Sequence, residues 1–320
     1  MEITFKCSSC KAKLAVDVKY AGLCMYCPQC EDKITIPLAG IGNWSTLGDF
    51  RIIRVIGEGS TGKVYLARQN SMKREVALKV LNPQFSTNVD KLKEFYKEVK
   101  IIARLTHPHI VTALKAGNDG QYHYLAMTYI SGGTLEELVN KNGQIHEKTA
   151  LKYMLICAQA LQYAWHKERV LHLDLKPENI MLDKNGQIKI TDLGIARCLN
   201  EIDDSQQIKG TPAFMSPEQT KSYTGLDQRS DIFSLGGTLY FLLTGKKPFG
   251  EAAVEEILHR VKTQEVIDPV YHNHKLSKSV THLIRMMMHK DLTQRISSWS
   301  ECTKQIKSCI NSESTNNKSA

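Results

Sequence analysis

From residue 50 to about 130 the apolar positions fall in short, roughly alternating runs. FRIIRVI, KVYLAR, EVALKVL and YHYLAMTYI are rich in β-branched and aromatic residues, with glycine-containing turns between them, and this predicts strands. The rhythm changes once. In DKLKEFYKEVKIIARL, Phe95, Val99, Ile102 and Leu105 recur at spacings of three and four, which predicts one helix with an apolar stripe. After residue 134 helical stretches dominate: TLEELVNK, EKTALKYMLICAQALQYAWHK, DIFSLGGTLYFLLTG and SVTHLIRMMMHK. A mostly β piece followed by a mostly α piece predicts an α+β protein of two lobes with a cleft between them. Ahead of them, weak alternation at Leu14, Val16 and Val18, and again at Ile34 and Ile36, predicts short strands in a small module. The boundaries read as a module at 1–38, a linker at 39–49 within LAGIGNWSTLGD, one long folded segment at 50–310, and a polar tail at 311–320 expected to be disordered.

Length and composition narrow the classes. A chain of 320 residues with 42% apolar and 23% charged residues suits a soluble globular protein with a packed core. The longest apolar run, Ile232 to Leu243, holds 12 residues. A membrane-spanning helix needs roughly 20, so this run predicts a buried core helix. The opening MEITFKCSSC lacks a basic-then-apolar leader, and the chain reads as cytoplasmic with no membrane span. The net charge of +9 is spread along the chain, which fits a solvated surface plus a phosphate site better than a nucleic-acid surface.

Five of the nine cysteines lie within the first 30 residues. Cys7-x2-Cys10 and Cys27-x2-Cys30 are separated by sixteen residues, so two tight turns can aim four thiolates at one point. That is the tetrahedral donor set of a closed structural Zn²⁺ site, and the arrangement resembles a zinc ribbon. About 40 residues bury too little apolar surface alone, so the metal would supply folding energy. Cys24 is either an alternative ligand or a partly buried free thiol. Five lysines and four acidic residues in 1–40, with about −2 more from four thiolates and one Zn²⁺, argue against a phosphate-backbone grip and leave a protein partner open.

VIGEGSTGKVYLA carries Gly57, Gly59 and Gly62 as G-x-G-x-x-G. A Walker A loop would need a hydroxyl residue after Lys63, where Val64 stands. A Rossmann loop would open a helix, but Lys63 to Arg68 alternates like a strand. A glycine flap over phosphates and a ligand-free hairpin both fit. The next strand, VALKV, sets Lys79 among apolar neighbours, where a cation is costly unless paired. A phosphate and a carboxylate from the striped helix, Glu94 or Glu98, are candidate partners.

Taken in order, the glycine loop, Val-Ala-x-Lys, HLDLKPEN, DLG at 192–194 and GTPAFMSPE ending at Glu218 resemble the protein kinase family over roughly residues 50–310, in the bacterial serine/threonine (Hanks-type) wording. The resemblance implies a bilobal kinase fold and phosphoryl transfer from ATP–Mg²⁺ (or Mn²⁺) to Ser or Thr hydroxyls of protein substrates. It implies Asp174 as catalytic aspartate with Lys176 beside it, Asn179 and Asp192 as Mg²⁺ ligands, and Lys79 on the α- and β-phosphates. Glu98, nine residues before His107, would pair with Lys79, with Glu94 as fallback. Ile56, Gly57, Glu58, Gly59, Ser60, Thr61, Gly62 and Lys63 would cover the nucleotide. Val64 and Ala77 would flank adenine, Met127 would guard the back of its pocket, and the backbone of Thr128 to Ile130 would bond its edge. Thr211 would sit near Asp174, Asp231 would anchor the catalytic loop, and Glu218 would pair with Arg295.

Leu173 departs from the pattern. Most of the family has an arginine there, which pairs with a phosphorylated residue on the loop between Asp192 and Glu218. Leucine cannot make that pair, so the resemblance implies an active enzyme that does not need phosphorylation of this loop, at Ser205 for instance. Two other functions compete. A nucleotide-binding pseudokinase scaffold is disfavoured because Lys79, Asp174, Asn179 and Asp192 are all present. A zinc-ribbon nucleic-acid regulator would show salt-dependent DNA binding by residues 1–45.

Overall fold

The computed structural model describes residues 2–7, 9–17, 20, 24–35, 46–59, 62–82, 88–120, 122–193, 212–221 and 225–316. The chain divides into two compact units, Met1–Lys93 with Ala113–Tyr129, and Glu94–Thr112 with Ile130–Ala320.

The first unit opens with two small hairpins, β1 (Glu2–Lys6) with β2 (Lys13–Asp17) and β3 (Cys24–Tyr26) with β4 (Lys33–Thr35), all antiparallel. Their shared core is Cys7, Leu14, Cys27 and Ile34. The unit continues as a six-stranded antiparallel sheet in the order β5-β6-β7-β8-β10-β9. The strands are β5 (Thr46–Leu47), β6 (Phe50–Gly59), β7 (Gly62–Gln69), β8 (Arg74–Leu81), β9 (Ala113–Asp119) and β10 (Tyr122–Thr128). Alternation sends Phe50, Ile52, Tyr65, Val76, Leu78 and Tyr124 into one apolar cluster. The registers Val64↔Lys79↔Leu125 and Leu66↔Ala77↔Met127 set those six residues on the opposite face.

Two expectations shift here. The 39–49 linker is not wholly linker, because Thr46 and Leu47 form β5 against Phe50 and Arg51, and Leu47 is buried. β9 was not expected, since ALKAGND is poor in strand formers. It is an edge strand that forms because β10 offers a free row of amides and carbonyls.

The striped helix is α1 (Val89–Ile102), capped by the Asn88 side chain, which accepts from the amides of Asp90 and Lys91 at 3.1 and 3.0 Å. Phe95, Val99, Ile102 and Leu105 are all buried, as the spacing predicts. The second unit holds α2 (Leu135–Asn142), α3 (Glu147–Glu168), α4 (Gln228–Thr244), α5 (Val254–Thr263), α6 (Lys278–Met287) and α7 (Trp299–Asn316), with a two-stranded ribbon, β11 (Ile180–Leu182) and β12 (Ile188–Ile190). The apolar run Ile232–Leu243 lies inside α4, and every residue of α4 from Ser230 to Thr244 is buried. Among the described residues no helix is long and apolar enough to cross a membrane. α7 runs to Asn316, so the stretch expected to be a tail from 311 is helical over its first six residues. Ile306 and Cys309 are buried in α7, and helix propagation costs little once such turns are fixed.

Candidate active site and metal centre

The catalytic-loop candidates gather at one end of the β11–β12 ribbon. A short 3₁₀ turn, Pro177–Asn179, leads into β11, and β12 ends two residues before Asp192. The register Ile180↔Ile190 therefore makes Asn179 and Thr191 neighbours, and the Thr191 amide donates to the Asn179 carbonyl at 2.9 Å. Asn179 and Asp192, the expected Mg²⁺ ligands, thus leave the same end of the ribbon. Asp192 itself has φ +56°.

The side chains are tied to one another. Nδ2 of Asn179 donates to the Asp174 carbonyl at 2.7 Å and to Asp174 Oδ2 at 3.0 Å. Lys176 Nζ lies 3.0 Å from the same Oδ2. Asp231, fully buried, accepts the His172 amide at 2.7 Å and the Leu173 amide at 2.8 Å, so it anchors the catalytic loop as the resemblance implies. Burial pushes its pKa up, while His172 and these two amides act against that. His172 Nε2 lies 2.9 Å from the Thr191 carbonyl, and Nδ1 lies 3.3 Å from the Asp174 amide. Glu178 has a raised pKa, chiefly through burial, and its Oε2 is buried with no hydrogen-bond partner among the described residues.

Glu218 and Arg295 form the expected ion pair, bidentate at 2.6 and 3.1 Å, with the Arg295 side chain fully buried. Arg295 also donates to the carbonyls of His289 and Arg229 and stacks over Phe233. Burial alone would raise the Glu218 carboxyl, but the Arg295 guanidinium outweighs it and holds the pKa below the usual value.

In the first unit, β6 and β7 form a hairpin around the glycine loop, so it opens a strand and not a helix. The three glycines differ. A Cβ on Gly62 would lie 2.0 Å from the Val80 carbonyl oxygen, so packing against β8 itself demands glycine there. A Cβ on Gly59 would meet nothing within 4 Å, and one on Gly57 only the Val64 side chain at 3.7 Å. Glu58 and Lys63 pair across the exposed hairpin at 3.2 Å. Lys79 is buried, in register with Val64 on one side and Leu125 on the other. Met127 and Ala77 are paired on the same face, Ile56 is half-buried, Thr128 is exposed at the end of β10, and Ile130 is buried. Ser60, Thr61, Gly194, Ser205, Thr211 and the side chains of Glu94 and Glu98 lie outside the described residues.

At the N-terminus two turns repeat one geometry. The Cys7 amide donates to Ala12 and the Lys11 amide to Cys7, at 2.9 and 3.1 Å; Cys27 with Asp32, and Glu31 with Cys27, do the same at 2.9 Å. Lys11 and Glu31 both take positive φ, +63° and +58°. The four Sγ atoms of Cys7, Cys10, Cys27 and Cys30 lie within 4.8 Å of one another. The Cys10 backbone amide, aided by Ser9 and the neighbouring thiols, draws Cys7 down to about 6 against the effect of burial. The Asp32 backbone favours ionisation of Cys30 too, yet burial and the other three sulfurs push it up to about 12. Four thiolates this close repel unless a cation compensates them. Cys24 pairs with Thr35 in the second hairpin through its backbone, and its side chain lies outside the described residues.

A sheet-rich unit carrying a buried lysine, and a helical unit carrying an Asp–Lys–Asn cluster anchored by a buried aspartate, define the kinase class of fold. The chain matches the protein kinase domain family over residues 50–308 and belongs to it. It is 34% identical over 275 residues to the serine/threonine-protein kinase PrkC of Bacillus subtilis (strain 168), covering 85% of this chain and 42% of that protein. It is 34% identical over 226 residues to the serine/threonine-protein kinase PknB of Mycolicibacterium smegmatis, covering 68% of this chain and 36% of that one. It therefore spans less than half the length of these two relatives. The kinase domain of Mycobacterium tuberculosis PknI matches in fold with a TM-score of 0.67 at 22% identity, over 84% of this chain and 99% of that one.

Proposed function

We propose that the chain is a protein serine/threonine kinase that transfers the γ-phosphate of ATP–Mg²⁺ to protein hydroxyls. The observation that carries this is the cluster at Asp174. Asn179 Nδ2 and Lys176 Nζ both converge on one of its carboxylate oxygens, a geometry that fixes the direction of the carboxylate. Asp174 orients the substrate hydroxyl and accepts its proton, and Lys176 offsets charge on the moving phosphoryl group. Because the side-chain nitrogen of Asn179 is engaged by Asp174, its Oδ1 is the atom left for a cation, with Asp192 as the second proposed ligand. In this reading Lys79 holds the nucleotide phosphates under the glycine loop, and Glu98, with Glu94 as fallback, is its expected carboxylate partner. Ala77, Val64 and Met127 enclose adenine.

The neutral partner at 173 supports activity without phosphorylation of the segment that contains Ser205 and Thr211. The four-cysteine cluster is proposed as a structural zinc site, closed to catalysis, whose ribbon engages a protein. The test of the activity is Asp174→Asn in the full chain with labelled ATP. Transfer is expected to fall on the order of 10²- to 10⁴-fold while Mg–ATP binding persists; undiminished transfer would refute the assignment. Ser205→Ala is expected to keep basal transfer, measured by the same assay, and its complete loss would overturn the reading of Leu173.

A further inference from the structure

We propose that Gln219 is a positioning residue that tethers the segment Pro212–Lys221 to the catalytic loop through the backbone of Leu173. The inference rests on the kinase reading above and deepens it. Leu173 sits where the family usually supplies an arginine that ties the loop to a phosphate, and a leucine cannot make that tie. The structure holds a different one. The Gln219 Nε2 donates to the Leu173 carbonyl at 2.8 Å, across 46 residues of sequence. The Gln219 Oε1 accepts from both the amide and the hydroxyl of Ser216 at 3.0 Å. Gln219 is 3% exposed and Leu173 is 3% exposed, so these bonds form out of water, where leaving one unmade is strongly unfavourable.

Leu173 needs holding. Its φ is +63°, the left-handed region, which is unfavourable for a side chain with a Cβ. Its amide is pinned by Asp231 and its carbonyl by Gln219, so both of its peptide groups are fixed immediately before Asp174. A glutamine whose only task was to close its own turn would need the oxygen bonds to Ser216 alone. Its nitrogen goes to the catalytic loop instead. Because the tether is neutral, it needs no modification to form.

Two variants of the full chain separate these roles. Gln219→Glu keeps an acceptor for Ser216 but sets an oxygen against the Leu173 carbonyl, and Gln219→Met keeps the length and removes both sets of bonds. Amide hydrogen exchange is read at residues 172–174 and in α4. Steady-state transfer uses Mg–ATP and myelin basic protein as a general acceptor. In both variants exchange at the Leu173 and Asp174 amides is expected to quicken about tenfold while α4 is unchanged. The kcat is expected to fall roughly 10- to 100-fold, with the KM for ATP within about twofold of wild type. Unchanged exchange at 172–174 in both variants would overturn the proposal, as would a kcat within about twofold of wild type. So would a loss shared equally by α4, which would mark a folding role. If wild-type protein transfers no phosphate, the kinase reading fails and the exchange comparison alone decides the tether.

Discussion

At the scale of single residues, the buried charges divide into those that hold and those that act. Arg295 and Glu218 hold. The guanidinium has no exposed surface and directs its donors to a carboxylate and to backbone carbonyls. Arg295→Met would strand the carboxylate, and a loss of about 3–5 kcal/mol is expected in denaturant unfolding. Glu218→Gln keeps an acceptor and should lose less. Because the folded-state pKa of Glu218 is depressed, its stabilising effect is present above the unfolded value of about 4.3 and fades as pH falls through the folded one. The stability gap between wild type and Glu218→Gln should therefore close in acid. A gap that widened there would contradict the assignment of the ion pair. Asp174 and Lys176 are the pair proposed to act, and their side chains are partly exposed.

At the scale of elements, the glycine loop is a compound feature. Gly62 answers to the sheet and Gly59 does not. Gly62→Ala forces a Cβ into the Val80 carbonyl, and a stability loss of about 1–3 kcal/mol is expected from the displaced strand and the unfavourable backbone. Gly59→Ala has room, so its unfolding free energy should stay within about 0.5 kcal/mol of wild type. Titration with Mg–ATP then reads the ligand contribution: weaker binding in Gly59→Ala without destabilisation supports a flap over phosphates, and unchanged binding removes Gly59 from the site. The β11–β12 ribbon is the other decisive element, since its antiparallel register sets Asn179 beside Thr191 and so near Asp192.

At the scale of the whole molecule, the small N-terminal hairpins stand apart in their energetics from the two larger apolar clusters. Among the described residues their buried core has four members, two of them cysteines, which is too little apolar surface to fold unaided. Zinc at one ion per chain is expected by elemental analysis. Cys27→Ser should lose it and raise exchange across 2–35, while the cooperative unfolding of the helical unit keeps its midpoint. Full retention of protection across 2–35 after chelation would rule out a metal-dependent ribbon.

Periodicity makes most of the architecture legible in the sequence alone. The stripe of α1, the run inside α4 and the alternating strands each carry a strong local pattern, because burial on one face leaves its mark at every second or every third and fourth residue. The cysteine pairs were legible for a similar reason, since two ligands on one tight turn need fixed spacing. The motifs marked Asp174, Asn179, Asp192 and Lys79 as a set only through their resemblance to a family, not through any pattern of burial. What the sequence could not disclose lies in contacts between distant segments. β9 exists because β10 has a free edge, Gly62 is required by a carbonyl from the next strand, and α7 runs on to Asn316. The hold of Asp231 on two successive amides spans 58 and 59 residues, and that of Gln219 on Leu173 spans 46. Local composition reports which face of an element will be buried; only the folded chain decides which hydrogen-bonding group meets which, because that depends on the register and approach of segments remote in sequence.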